Sequence, residues 1–175
     1  MEMKIGIIIQ ARLGSTRFER KVLEKIGGKE LLLFLYDRLK NIKGASQIVL
    51  ATSTERKDDI LVNFSKKIGL PSFRGSLDDV LLRFYLCAKD RNFDVIIRVT
   101  ADDPFKDPVV INKALDIFIN NKFDYVSNTI SPTYPEGIDV EVFSFKALEK
   151  AQLSSSLKSE RMHVTPYIWS NPEIF

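Results

Sequence analysis

The sequence predicts an α/β fold: a mostly parallel sheet with helices on both faces. Three observations predict it. The chain opens on a nearly continuous apolar run, Ile5 to Ile9, of the kind that forms a strand buried on both faces. Strand-like and helix-like segments then alternate as far as Ser127. Such alternation argues for parallel strands joined by right-handed helical crossovers.

The elements follow in order. After Ile9 comes Gln10-Ala11-Arg12-Leu13-Gly14-Ser15-Thr16-Arg17, small and basic, a loop by composition. Leu31 to Leu39 has apolar residues at helical spacing, with Lys40 and Lys43 suiting a helix C-terminus. Ile48 to Ala51 is a second strand, and Asp58 to Ile68 a helix with Ile60, Leu61, Phe64 and Ile68 on one face. Pro71 to Arg74 is a third strand, Asp78 to Lys89 a helix and Val95 to Val99 a fourth strand. Pro108 to Asn120 is a helix with proline in its first turn, and Phe123 to Ser127 a fifth strand. Past Ser127 the pattern changes. Ser131 to Gly137 is turn-rich, and Ile138 to Phe143 alternates apolar and acidic residues, as a half-exposed strand does. Ser144 caps a helix running to Leu153, and Ser154 to Ser159 is expected to be polar and mobile.

Composition bounds the function. With 175 residues, 45% hydrophobic and 28% charged, the chain reads as one globular domain spanning 1–175. A net charge of +3 is too small to imply nucleic-acid binding. No apolar run approaches the roughly 20 residues of a membrane helix, and no signal peptide is seen. No membrane association and a cytoplasmic location are therefore expected. The single cysteine, Cys87, excludes an intrachain disulfide and reads as a small core residue.

Ligands of open α/β sheets bind beyond the carboxyl ends of the strands. The loops after Ile9, Ala51, Arg74 and Val99 should therefore line one site. In the first, Arg12, Arg17, Arg20 and Lys21 fall within ten residues, with small residues between them. Backbone amides and guanidinium groups together can cradle phosphate; the plainer reading is a solvated basic loop. Neither a Walker ending nor the third glycine of a dinucleotide fingerprint is present.

After the fourth strand, Asp102 and Asp103 precede Pro104. A carboxylate there, facing a phosphate loop, can hold Mg²⁺; an Asp-Pro turn capping the next helix is the alternative. Arg74-Gly75-Ser76 offers a tight turn with Ser76 as cap of the following helix, and Arg74 within reach of the site. Asp139 and Glu141, two apart, share one face of a strand and could hold sugar hydroxyls or a metal, or simply form an exposed acidic face. His163 is the only histidine.

The segments Ile8-Ile-Gln-Ala-Arg-Leu-Gly-Ser-Thr-Arg17 and Lys21-Val-Leu-Glu-Lys-Ile-Gly-Gly-Lys29 resemble the spore-coat polysaccharide biosynthesis F-type cytidylyltransferases, relatives of CMP-sialic acid and CMP-KDO synthetases. The likeness continues through Ala51-Thr-Ser53, Arg74-Gly-Ser76, Arg98-Val-Thr-Ala-Asp-Asp-Pro104, Tyr134 to Phe143 and Glu160 to Tyr167, nearly the whole chain. It implies a three-layer α/β/α sandwich of the nucleotide-diphospho-sugar transferase type. The implied reaction moves CMP from CTP to a sugar acid or related acceptor in surface polysaccharide biosynthesis and releases pyrophosphate. Arg12, Arg17 and Lys21 would hold the triphosphate, and Asp102 a Mg²⁺ ion. Ala11, Arg12, Gly14, Ser15, Thr52, Ser53, Arg74 and Ser76 would contact the nucleotide. Asp139, Glu141 and His163 would face the acceptor, and a homodimer is allowed.

The chain departs from the family pattern at Glu19-Arg20, where relatives read Pro-Gly, and at Glu30, where they read Pro. Relatives also run on to a later Asp-x-x-x-Asp motif, so a fragment or a natural truncation is expected. A nucleotide-binding module without catalysis, and a relative with another base preference, are the alternative functions.

Overall fold

The computed structural model describes residues 3–14, 20–132 and 134–175. Its main sheet has six strands: β1 (Ile5–Gln10), β4 (Ala45–Ser53), β5 (Ser72–Gly75), β6 (Val95–Thr100), β7 (Tyr125–Ser127) and β8 (Glu141–Ser144). A two-stranded hairpin, β2 (Lys25–Ile26) and β3 (Lys29–Glu30), stands apart from it. The helices are α1 (Leu31–Leu39), α2 (Asp59–Lys67), α3 (Val80–Arg91), α4 (Pro108–Asn121), α5 (Phe145–Ser154), α6 (Lys158–His163) and α7 (Pro166–Trp169).

The sheet order is β5-β4-β1-β6-β8-β7. The first four strands of that order are parallel, and β1 lies at the centre between β4 and β6. A strand paired on both sides and covered on both faces must be apolar throughout. Ile5, Ile7, Ile8 and Ile9 are accordingly buried. Their side chains alternate between two cores. Ile5, Ile7 and Ile9 join Leu32, Leu35 and Leu39 of α1, Leu61 of α2 and Leu115 and Phe118 of α4. Ile8 joins Leu81, Phe84 and Cys87 of α3, Leu148 of α5 and Ile168 of α7. The fold is therefore the three-layer α/β/α sandwich that the sequence predicts. At about 1.5–3 kcal/mol per buried large aliphatic side chain, the two cores are its main source of stability.

Local chemistry sets the helix ends. Asp107 accepts from the Val109 amide (2.7 Å) to cap α4, whose first residue is Pro108. Ser144 accepts from the Ala147 amide (3.0 Å) and caps α5, as its position predicts. The β2–β3 hairpin turns on Gly27 and Gly28, both at positive φ (59° and 83°), a geometry that only glycine adopts without strain.

Beyond Ser127 three features depart from what the local pattern suggests. The fifth predicted strand, β7, does not pair with β6; β8 lies between them, antiparallel to both. The segment read as a half-exposed strand begins pairing only at Glu141, and Glu141, Val142 and Phe143 are all buried. The stretch 154–159, expected to be mobile, is a tight link into α6. Ser155 is buried, and Arg161 donates to its carbonyl (3.2 Å) and to Asp79 (2.8 and 2.6 Å) at the start of α3.

Candidate active site at the carboxyl edge of the sheet

Because β8 runs against its neighbours, its first residues sit at the edge where β1, β4, β5 and β6 end. In register terms, Glu141 lies opposite Arg98 of β6. A cavity of about 530 Å³ opens there. Its wall includes Thr100 at the end of β6, Asp102, Asp103 and Lys106 after it, Asp139 just before β8 and Glu141 at its start, and His163, Thr165 and Trp169 from the α6–α7 region. The sequence-predicted residues Asp102, Asp139, Glu141 and His163 are thus brought together from segments up to 61 positions apart.

A buried ion pair forms the floor. Arg98 donates through Nη1 to Glu141, and both side chains are largely withdrawn from water, at 14% and 11% exposure. Glu141 also accepts from the Tyr125 hydroxyl (2.8 Å) and from Thr165 Oγ1 (2.5 Å). Arg98 Nη2 reaches Gln10 Oε1 (3.3 Å) at the end of β1. Burial, and then the charge of Glu141, push the Tyr125 phenol well above its ordinary range, so it stays a donor. Glu141 faces the cavity, but three protein donors already use its carboxylate. Lys106, also buried, pairs with Asp103 (3.3 Å), which in turn accepts from Thr100 Oγ1 (3.0 Å). No hydrogen bond among the described residues engages the carboxylates of Asp102 and Asp139, and both residues line the cavity.

Next to this cavity lies the segment that follows β1. The Ala11 amide still bonds to Ala51 of β4 (3.3 Å), and the Ala101 amide bonds to Gln10 (3.0 Å), so the segments after β1 and β6 leave the sheet side by side. Asp58, wholly buried, then latches the loop. It accepts from the Leu13 amide (2.8 Å), the Ser53 amide (3.3 Å) and the Ser53 hydroxyl. Lys57, next to Asp58, brings its amine against Gly14: a Cβ there would lie 2.9 Å from Lys57 Nζ. Lys21 opens a short 3-10 turn, Lys21–Leu23, whose Val22 is buried in the cluster that holds Ala11, Leu13 and Ala101. Arg20 just before it has a φ of 59°. Glycine, which the family pattern puts here, adopts this left-handed backbone with less strain than arginine. Ser15, Arg17 and Glu19 lie outside the described residues.

The nucleoside-side candidates have mixed surroundings. Thr52 and Ser53 end β4 and are wholly buried; the Thr52 hydroxyl meets no partner among the described residues. Arg74 spends its guanidinium on the turn after β4. It donates to the Ser53 carbonyl (2.9 Å), the Glu55 carbonyl (2.9 Å) and Asp59 (2.6 Å), and so braces that turn. Ser76 does not cap α3 as expected. Its hydroxyl accepts from the Asp79 amide (3.0 Å), and Asp79 is the cap, accepting from Leu82 (2.9 Å).

Beneath this turn sits a residue that sequence reading passed over. Arg83 of α3 is wholly buried, with Nη1 donating to the Ser76 carbonyl and Nε and Nη2 without partners among the described residues. Burial, then the nearby Arg12 cation, lower its pKa to about 10, which leaves it charged at neutral pH. Gly75 makes room for it: a Cβ there would lie 2.9 Å from Arg83 Cγ. Burial pushes the Cys87 thiol up to about 12, which agrees with an inert core cysteine. No helix among the described residues is long and apolar enough to cross a membrane.

The segment that carries Arg12 and Lys21 thus follows the central strand of an α/β sandwich, and Asp102, whose carboxylate has no hydrogen bond among the described residues, follows the next parallel strand. The family model described as cytidylyltransferase matches residues 6–175, and the chain belongs to that family. It is 43% identical over 173 residues to protein MJ1063 of Methanocaldococcus jannaschii, covering 99% of this chain and 70% of that one. It is 38% identical over 177 residues to the spore coat polysaccharide biosynthesis protein SpsF of Bacillus subtilis, covering 98% and 72%. Among solved structures, a cytidylyltransferase from Leptospira borgpetersenii superposes with a TM-score of 0.94 at 37% identity, covering 99% of this chain and 74% of that one.

Proposed function

We propose that this cytidylyltransferase moves CMP from CTP to a hydroxyl of a sugar acid or related acceptor used in surface polysaccharide synthesis. The oxygen of the acceptor hydroxyl forms a new bond to the α-phosphorus and gives up its proton to solvent, the bond from the α-phosphorus to the oxygen bridging to the β-phosphate breaks, and pyrophosphate leaves with that oxygen. Such transfers need positioning and neutralisation of charge more than covalent help from the protein. In this reading Arg12, Arg17 and Lys21 hold the triphosphate and stabilise the charge that builds on the leaving pyrophosphate. Ala11, Gly14, Ser15, Thr52, Ser53, Arg74 and Ser76 form the nucleoside side; Arg74 and Ser76 act there by shaping the backbone of the turn. Asp139 and His163 face the acceptor, with Glu141 beneath them.

The donor set fits a divalent ion of the Mg²⁺ type. No group of three metal-ligating side chains occurs among the described residues. Asp102 and Asp139 both line the cavity without internal hydrogen bonds. Mg²⁺ takes one or two carboxylates and fills its remaining positions with water and phosphate oxygens, which a triphosphate would supply. Asp102 would hold it, and when bound it would neutralise phosphate charge.

The observation that carries this reading is the shared edge: the basic segment after β1 and the Asp102 segment after β6 leave adjacent parallel strands. The experiment is pyrophosphate release with CTP, Mg²⁺ and a panel of nonulosonic and octulosonic acids, with CTP binding followed by calorimetry. Turnover with at least one acceptor is expected. Absence of CTP binding would reject the reading, and binding without turnover would reject its catalytic part.

A further inference from the structure

Trp169 is the only tryptophan of the chain, and at 47% exposure it is far more open than a structural role in the core requires. The packing of α7 is done by its neighbour Ile168, which is buried in the core under the sheet. Trp169 instead lines the polar cavity, together with Asp102, Asp139 and His163. Its place is fixed from below. The Ile168 and Trp169 amides both bond to the Thr165 carbonyl (2.9 and 3.2 Å), and the Thr165 hydroxyl bonds to Glu141 in the floor. The backbone that carries the indole is thus anchored at the wall of a cavity whose other lining residues, Pro166 apart, carry hydrogen-bonding side chains.

We infer that Trp169 is the stacking platform for the ring of the sugar acceptor, and so a specificity-determining residue of this site. The inference rests on the proposed transfer to a sugar. A pyranose presents hydroxyls around its rim and C–H groups on its faces. Asp139 and His163 suit the rim, and only an aromatic surface suits a face. Aromatic side chains bury about 150–250 Å² when fully covered. One face of a half-open indole is a fraction of that, and at about 25 cal/mol per Å² its coverage corresponds to roughly tenfold in affinity. The platform favours cyclic acceptors over open-chain polyols, which offer no flat C–H face.

As the lone tryptophan, Trp169 reports on itself. Emission of the intact protein is followed while CTP with Mg²⁺ is added, and then N-acetylneuraminate or 3-deoxy-octulosonate, each also titrated without nucleotide. A saturable spectral change with sugar, and none of that size with CTP alone, is expected. In pyrophosphate release, Trp169→Ala should raise the acceptor KM about tenfold at unchanged CTP affinity, while Trp169→Phe stays within about threefold. The inference is overturned if emission answers to CTP alone or to protein dilution, which would mark a nucleotide or self-association contact. It is equally overturned if no sugar shifts emission, or if Trp169→Ala leaves the acceptor KM unchanged. Failure of CTP to bind in calorimetry would instead reject the proposed transfer, and the nucleotide-free sugar titrations would still decide the fate of Trp169.

Discussion

Replacing Glu141 by Gln tests the floor of the site. The carboxylate accepts from Arg98, Tyr125 and Thr165, and both members of the ion pair are nearly out of water. The amide keeps the shape but has one acceptor oxygen: at the Oε1 position it keeps Tyr125 and Thr165 and turns a nitrogen toward Arg98, and at the Oε2 position it keeps Arg98 and loses the other two. Arg98 becomes a largely buried cation without its paired carboxylate, its Nε already lacking a partner among the described residues. Breaking one side of a buried pair costs about 3–5 kcal/mol. The retained oxygen places Glu141→Gln near the lower end, at about 3 kcal/mol. For a chain of this length that is roughly a 6–12 °C fall in Tm. Urea unfolding followed by circular dichroism should show a lower midpoint at an unchanged slope. The double variant Arg98→Met with Glu141→Leu should be more stable than the sum of the two single changes, because it removes the stranded charge along with its partner, although the Tyr125 and Thr165 hydroxyls still lose their acceptor. A loss under about 1 kcal/mol for the single variant, or a double variant as unstable as the sum of the two singles, would refute the reasoning.

Three further outcomes are expected. Arg12→Ala and Lys21→Ala should each weaken CTP binding by about 1.5–3 kcal/mol in calorimetry, the range for hydrogen bonds to charged groups; unchanged affinity in both would remove the loop from the site. Asp102→Asn should abolish Mg²⁺ stimulation of turnover while Tm holds, and intact stimulation would contradict the metal assignment. Hydrogen bonds from Lys29 and Lys40 hold Asp37 below its ordinary 3.8. A depressed carboxylate adds stability that is full above its unfolded value and lost as pH falls through the lower folded one. Asp37→Asn should therefore shrink the acid-side loss of stability below about pH 4 in urea titrations, and an unchanged acid limb would show that the two lysines contribute nothing.

Much of the frame was legible in local pattern. The apolar run at Ile5–Ile9 marked a strand buried on both faces, and Leu31–Leu39 is a helix with the limits its periodicity predicts. The carboxyl-edge rule then placed the loops after β1, β4, β5 and β6 together, as the parallel pairing requires. What failed depends on partners far away in sequence. Glu141 made its strand look half-exposed, because nothing local reveals that Arg98, 43 positions earlier, neutralises it inside the sheet. The insertion of β8 between β6 and β7 is likewise a non-local choice, which alternation of elements does not encode. The polar stretch at 154–159 looked mobile because Arg161, which ties it to α3, belongs to the next helix.

The site divides in the same way. Asp102, Asp139, Glu141 and His163 were singled out from motifs, and they line one cavity. Asp58 and Lys57, which back the loop after β1, and Arg83, which underlies the turn after β5, were passed over. Asp58 was readable only as a helix residue, and Arg83 only as a polar interruption of an apolar helix face. Trp169 carried one signal that could have found it: a lone tryptophan in a four-residue helix directly after the His163 motif.

The most direct test of the central claim is a crystal of the protein soaked with CTP and Mg²⁺. The account predicts a triphosphate lying along the segment after β1, within reach of Arg12 and Lys21, with a metal between its oxygens and Asp102. Density for the triphosphate elsewhere, or Lys21 and Asp102 facing different ligands, would contradict it.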